Sequence, residues 1–225
     1  MEILTREEYS SDSITRMVRS VTFFKNLATQ DQSQLDLLLS VSEFVRLNKG
    51  EVLMSKGESA DCLYFLLKGQ VSVIPSVNSQ TSNVLNAGEA VGTMSMVTGA
   101  KRSATVVAHT DVVLLSLAYE HCTDHKDYGL FNLDTKLMAY KMVIHHIRWA
   151  LELNKMKQPQ HELAAKIFKI PIYSGEKNTQ NELLALHEQA RLLAELLSEW
   201  NDSHGQELTS ECANSEFNVT GLGAG

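Results

Sequence analysis

The stretch GEVLMSKGESADCLYFLLKGQVSVI, residues 50–74, decides how the rest of the chain is read. The runs EVLM, CLYFLL and VSVI within it are short and apolar or alternating. They are punctuated by three Lys-Gly pairs: Lys49-Gly50, Lys56-Gly57 and Lys68-Gly69. Short strands separated by glycine turns predict an antiparallel sandwich or barrel. Gly57 and Gly69 are expected at φ values that a side chain would oppose. The same period continues outward, through EFVRL upstream and TVVA and VVLLSL downstream, which extends the β-rich unit over residues 43–127. PSVNSQTSN, residues 75–83, reads as the polar tip of a hairpin.

Outside this unit the period changes to that of helices. Residues 1–42 form an N-terminal helical segment in which Thr29 and Gln32 make a capping box ahead of Leu35, Leu38 and Leu39. Over residues 128–157, Leu137, Tyr140, Ile144, Ile147 and Leu151 follow alternating steps of three and four, the a/d seam of a long helix. Met138, Met142, Trp149, Leu153 and Met156 mark a second stripe on the same helix. A helix apolar on two faces touches two surfaces. The simplest assignment sets one face against the β unit and the other against a partner helix in a homodimer. The alternative buries both faces inside one chain. Residues 158–203 read as a C-terminal helical extension with a second capping box, Thr179 and Glu182. Its packing stripe is Leu183, Leu186, Ala190, Leu193 and Leu197. Residues 204–225 are expected as a flexible tail.

Composition narrows the function. The chain has 225 residues and a net charge of −7, which disfavours a nucleic-acid backbone as main partner. No apolar run reaches the roughly 18–20 residues a membrane helix needs, and the N-terminus lacks a signal-peptide pattern. Cys62, Cys122 and Cys212 are odd in number and far apart, which suits a reducing cytoplasm and neither a disulfide framework nor a zinc cluster. HCTDH, residues 121–125, brings no second ligand pair, so no metal is expected there. His145 and His146 are adjacent, a quarter-turn apart on a helix, and do not share a ligand. No nucleophile elbow, Walker loop or His-Glu metal pair is present, so no catalytic residue is assigned and the chain is not read as an enzyme.

Residues 50–74 followed by GEAVGTMSMVTGAKRSATVVA, residues 88–108, resemble a cyclic-nucleotide-binding domain, the fold of catabolite activator proteins, cAMP-dependent kinase regulatory subunits and cyclic-nucleotide-gated channels. The resemblance covers about residues 20–157. It implies an α+β, mainly β fold: an antiparallel jelly-roll β-barrel with N-terminal helices, a long dimerisation helix and a C-terminal helical extension. The family's phosphate cassette reads Phe-Gly-Glu-Leu-Ala, then Arg, a small residue and Ala. Here those positions are Val91-Gly92-Thr93-Met94-Ser95 and Arg102-Ser103-Ala104. By resemblance, Gly92, Thr93, Met94, Ser95, Arg102 and Ser103 hold the cyclic phosphate and ribose. Glycine admits the ligand closely, and Arg102 supplies a charged fork. The family glutamate that accepts the ribose hydroxyl is Thr93 here, a shorter and uncharged acceptor. Glu89 is the nearby candidate replacement. Thr135 and Tyr140 on the long helix are the candidate base contacts.

The resemblance also implies the ligand: a cyclic nucleotide of the cAMP or cGMP type, with cyclic di-GMP kept among those to test, and no other cofactor. Catabolite activators continue into a DNA-reading helix. Here NELLALHEQARLLAELLSEW, residues 181–200, carries one arginine against four glutamates, so no DNA partner is expected. The reading is a cytoplasmic sensor that transmits nucleotide binding through the long helix to a dimer or a downstream protein. The alternatives are a constitutive interaction module with a degenerate pocket and, behind it, a transcriptional regulator.

Overall fold

The structure, a computed structural model, describes residues 2–4, 11–75 and 83–216. The hairpin tip expected at residues 75–83 lies mostly outside the described residues, as does the end of the expected tail from 217. The chain begins with a short edge strand, β1 (Glu2–Leu4), and three helices, α1 (Ser11–Ser20), α2 (Thr22–Gln30) and α3 (Gln32–Ser40). Asp31 caps α3, its carboxylate accepting from Ser33 N at 3.0 Å and Gln34 N at 3.3 Å. The expected box at Thr29 and Gln32 does not form: Thr29 Oγ1 bonds back to Lys25 O at 2.9 Å inside α2. Aspartate accepts at an N-cap at least as well as threonine, and it stands two residues closer to the helix.

The β unit follows: β2 (Ser42–Leu47), β3 (Val52–Met54), β4 (Cys62–Lys68), β5 (Gln70–Ile74), β6 (Asn83–Asn86) and β7 (Ala90–Val91). After a short helix, α4 (Thr93–Thr98), come β8 (Thr105–Ala108) and β9 (Val112–Ala118). They form two antiparallel sheets, ordered β1-β2-β9-β4-β7 and β3-β8-β5-β6. The unbroken apolar run of β4 is explained by its place between β9 and β7, with both faces covered. Leu63, Phe65 and Leu67 point to a core shared with the helices, whereas Tyr64 and Leu66 point to the core between the sheets. Phe65 stacks on Phe23 of α2 at 5.5 Å. Gly69 alone separates β4 in one sheet from β5 in the other. Its φ is +86°, as the sequence predicts, and a Cβ there would meet Asp111 O at 2.3 Å.

The expected mainly-β jelly-roll barrel is overturned. Neither sheet closes, and helices hold roughly half of the chain. β7 pairs with β4 through only two residues, Val91 with Tyr64 and Ala90 with Phe65, before Gly92 turns the chain into α4. Among the described residues no ladder joins the two sheets.

The remaining helical mass is α5 (Glu120–Thr123), α6 (Leu133–Lys157), a 3-10 segment (Glu162–Lys169) and α7 (Gln180–Glu216). Thr179 caps α7 as expected, Oγ1 accepting from Glu182 N at 3.2 Å; the Glu182 carboxylate accepts from Asn178 N at 2.6 Å. Of the expected dimer seam on α6, Leu137, Tyr140, Ile147 and Leu151 are buried within this chain, and Ile144 is half-buried. They pack in one core with the α7 stripe Leu183, Leu186, Ala190, Leu193 and Leu197. The first stripe is thus used inside this chain, whereas Trp149 and Met156 of the second stripe stay exposed. No described helix is long and apolar enough to cross a membrane.

Candidate functional site

A cavity of about 630 Å³ opens between the cassette, the β5–β6 hairpin and helices α6 and α7. That volume is in the range of small-molecule sites. Gly92, Thr93, Met94, Ser95, Arg102 and Ser103 all line it. Arg102 and Glu89 are the arginine, lysine, aspartate or glutamate side chains of its wall. Glu89 is not free to act as the missing ribose acceptor with both oxygens, because Oε2 accepts from Asn86 N at 2.6 Å.

Arg102 is the anchor of the cassette wall. Only 4 % of it is exposed, and its guanidinium lies 5.8 Å from the Tyr64 ring and 5.7 Å from the Tyr119 ring. Nη1 donates to Tyr119 Oη at 2.7 Å, and Nη2 donates to Cys62 O at 2.9 Å. The Asp61 carboxylate stands 3.8 Å from Nη2 but is itself exposed, so solvent screens that ion pair. Gly92 fits only as glycine: its φ is +93°, and a Cβ would lie 2.6 Å from Arg102 Nη1. Ser103 Oγ is directed to Met94 Sδ at 3.6 Å, and Ser95 Oγ to Lys101 O at 3.3 Å.

The candidate base contacts are not in the cavity. Thr135 sits in the first turn of α6, with its N–H donating to Asn132 Oδ1 and its hydroxyl donating to Gln34 Oε1, both at 2.9 Å. Tyr140 is buried nearer the start of α6, where its hydroxyl meets His125 Nε2 at 2.8 Å and His187 Nδ1 at 3.3 Å. The α6 wall is instead made one to four turns later by His145, His146, Trp149, Leu153 and Asn154, and α7 adds Leu197 and Asn201. The second apolar stripe of the sequence, with Trp149 and Leu153, carried the signal for this wall. The histidines and asparagines between its members gave none. Burial, helped by the neighbouring His145, pushes the His146 imidazole down to about 4, so it is neutral at pH 7. Its Nδ1 has no hydrogen-bond partner among the described residues. HCTDH is divided between α5 and the loop after it. No group of three His, Cys, Asp or Glu among the described residues is placed to hold a metal.

Comparison with known proteins agrees with the cassette. The family model for the cyclic nucleotide-binding domain matches residues 44–124. A cyclic nucleotide-gated potassium channel of Rhizobium etli is 41% identical over 68 residues, 30% of this chain and 18% of that protein. Rap guanine nucleotide exchange factor 1 of Caenorhabditis elegans is 28% identical over 117 residues, 51% of this chain and 11% of that protein. The chain thus spans less than a fifth of the length of these relatives. A solved co-crystal structure of the regulatory domain of Toxoplasma gondii PKA with cAMP superimposes with a TM-score of 0.44 at 17% identity, covering 60% of this chain and 53% of that one. The stretch matched by the cyclic nucleotide-binding domain model runs from β2 to α5 and contains the whole cassette wall.

Proposed function

We propose that the chain is a sensor for a cyclic nucleotide of the cAMP or cGMP type, binding it between the cassette and the wall made by α6 and α7. The observation that carries this reading is the single cavity into which Gly92, Thr93, Arg102 and Ser103 open on one side and His146 and Trp149 on the other. Arg102 and Ser103 would take the cyclic phosphate and Thr93 the ribose hydroxyl. The indole of Trp149, 55 % exposed, offers a face for the base. Because the ligand touches both the cassette and two helices, its binding energy can differ between positions of those helices, which is what a sensor requires.

Calorimetric titration with cAMP, cGMP and cyclic di-GMP, beside Arg102→Ala and Thr93→Glu, tests this. Charged hydrogen bonds are worth about 1.5–3 kcal/mol each, so Arg102→Ala is expected to weaken binding on the order of a hundredfold or more. Thr93→Glu, restoring the charged ribose acceptor, is expected to tighten it on the order of tenfold. Absence of heat with every nucleotide overturns the reading. It would favour the constitutive interaction module, for which the prior engagement of Arg102 by Tyr119 and Cys62 is the supporting observation.

A homodimer and a downstream partner belong to the same proposal, in a state where α7 has left α6. Light scattering at tens of micromolar is expected to give a monomer for the ligand-free chain, since α7 covers the seam. A ligand-free dimer overturns this block.

A further inference from the structure

We infer that the Tyr119 hydroxyl is an internal competitor for Arg102, engaging the guanidinium that a phosphate would use and setting the affinity of the site. The inference rests on the nucleotide-binding reading of the same cavity and names a residue that reading does not include.

Tyr119 follows the last residue of β9 and precedes α5, and it is fixed from several sides. Its N–H donates to Asp61 O at 2.8 Å, and its carbonyl accepts from Cys122 N and Thr123 N. The ring centre lies 5.7 Å from the guanidinium carbon of Arg102. A phenol has one proton to give, and here it goes to Gly92 O at 2.7 Å. The hydroxyl must therefore be the acceptor for Arg102 Nη1. Burial is the larger influence on the phenol and the neighbouring Arg102 opposes it; the net effect pushes it up to about 12, so it keeps the proton it donates. Gly92 O also accepts from Met96 N at 3.2 Å. One hydroxyl thus ties the cassette arginine, the cassette glycine and the first turn of α4 together. Only the missing Cβ at Gly92 lets them approach, since such an atom would stand 3.1 Å from Tyr119 Oη.

A phosphate entering the cradle needs donors from this same guanidinium. Cys62 O already holds Nη2, and Cys62 Sγ lies 3.8 Å from that nitrogen. Recruiting Nη1 means taking it from Tyr119. In a Tyr119→Phe protein the empty state keeps a buried Nη1–H and a Gly92 carbonyl that have each lost a partner. An unpaired buried polar group costs about 1–3 kcal/mol. In the liganded state the phosphate satisfies Nη1 in either protein. Loss of the hydroxyl therefore raises the free state more than the bound one, and the ligand binds more tightly. A merely structural role would lower stability without improving affinity.

The test is a pair of measurements on the full chain and its Tyr119→Phe variant: thermal unfolding without ligand, and calorimetric titration with cAMP and cGMP. The variant is expected to melt lower and to bind the preferred nucleotide about 5–30-fold more tightly, the ratio corresponding to one or two kcal/mol. Equal or weaker binding by the variant overturns the competition and leaves the nucleotide reading standing. Binding by the variant alone upholds the competition while overturning the sensor role of the natural chain. No binding by either protein at millimolar nucleotide overturns both. Should the variant fold poorly, the hydroxyl proton of Tyr119 in the natural protein is the second readout. It is expected to shift when nucleotide saturates the site, and an unchanged signal counts against the competition.

Discussion

Replacing Trp200 with alanine is expected to remove about 3–5 kcal/mol of stability and to loosen the α7 side of the cavity. Trp200 is fully buried, and its indole stacks on His161 with ring centres 4.6 Å apart and planes 17° from parallel. The stack joins α7 to the loop before the 3-10 segment. Ser203 strengthens the same joint, its hydroxyl bonding Trp200 O at 2.7 Å and meeting His161 Nε2 at 3.3 Å. Leu197 and Asn201, on either side of Trp200 along α7, line the cavity, so a helix that loses its anchor loses its position over the cavity. A domain of this size shifts in melting temperature by roughly 2–4 °C per kcal/mol, so a drop of about 10 °C is the expected reading by circular dichroism. Light scattering on the same variant is expected to show dimer, because the α6 seam is uncovered as α7 loosens. A loss of under about 1 kcal/mol would mean that α7 is not held through Trp200.

What was legible in the sequence is what depends on local pattern. The continuous apolar runs of β4 and β9 mark strands buried on both faces, whose alternate residues enter the two cores. Gly69 and Gly92 are required by backbone conformation and close approach; the turn pattern marks Gly69, and the resemblance to the family cassette marks Gly92. The cassette residues share a wall because a short turn, α4 and one returning strand leave them no other place. The partner of an apolar face is a different matter. The seam of α6 has the same heptad whether it meets a second copy or the chain's own α7, and nothing in Leu137 or Ile147 distinguishes the two. Barrel closure depends on ladders between distant strands, which a run of alternating residues does not encode. Tyr119 was missed for a related reason. Its role arises from a hydroxyl 17 residues along the chain from Arg102, and no motif marks it.

The α6 wall of the cavity is built from residues other than Thr135 and Tyr140. Tyr140 is an aromatic residue near the start of the helix, and its turn faces α7 and the loop before α6. The cavity lies beyond it, where Trp149 and Leu153 come round on the other stripe. A helix that serves two surfaces does so at different heights, and the sequence gives its faces without giving the heights.

Acidification is expected to destabilise the fold well before its carboxylates titrate. Burial is the first cause for each of three histidines: it pushes His125 and His146 down to about 4 and lowers His187 as well. The first two are buttressed by neighbouring positive charge, His187 and Lys136 beside His125, and His145 beside His146. In the unfolded chain all three titrate near 6.5. Above that pH both states are neutral there and the histidines contribute no pH dependence. Between about 6.5 and 4 the unfolded state binds protons that the folded state refuses, so stability rises with pH across this window and falls as pH drops through it. Each imidazole contributes at most about 1.4 kcal/mol per pH unit. Allowing for their partial exposure, a combined loss of about 2–4 kcal/mol between pH 7 and 5 is expected. Asp31, Asp124, Glu58, Glu182 and Glu188, all held below their ordinary values, add to the loss only as pH approaches the carboxylate range. Denaturant unfolding at pH 7.5, 6.5 and 5.5 reads the effect. His125→Phe is expected to remove about one proton from the slope, because His125 and His187 press on the single Tyr140 hydroxyl with rings 4.3 Å apart. A midpoint that stays flat from pH 7.5 to 5.5 would mean that these imidazoles are solvated in the folded chain, and that the joint between α6, α7 and the loop at His125 is open to water.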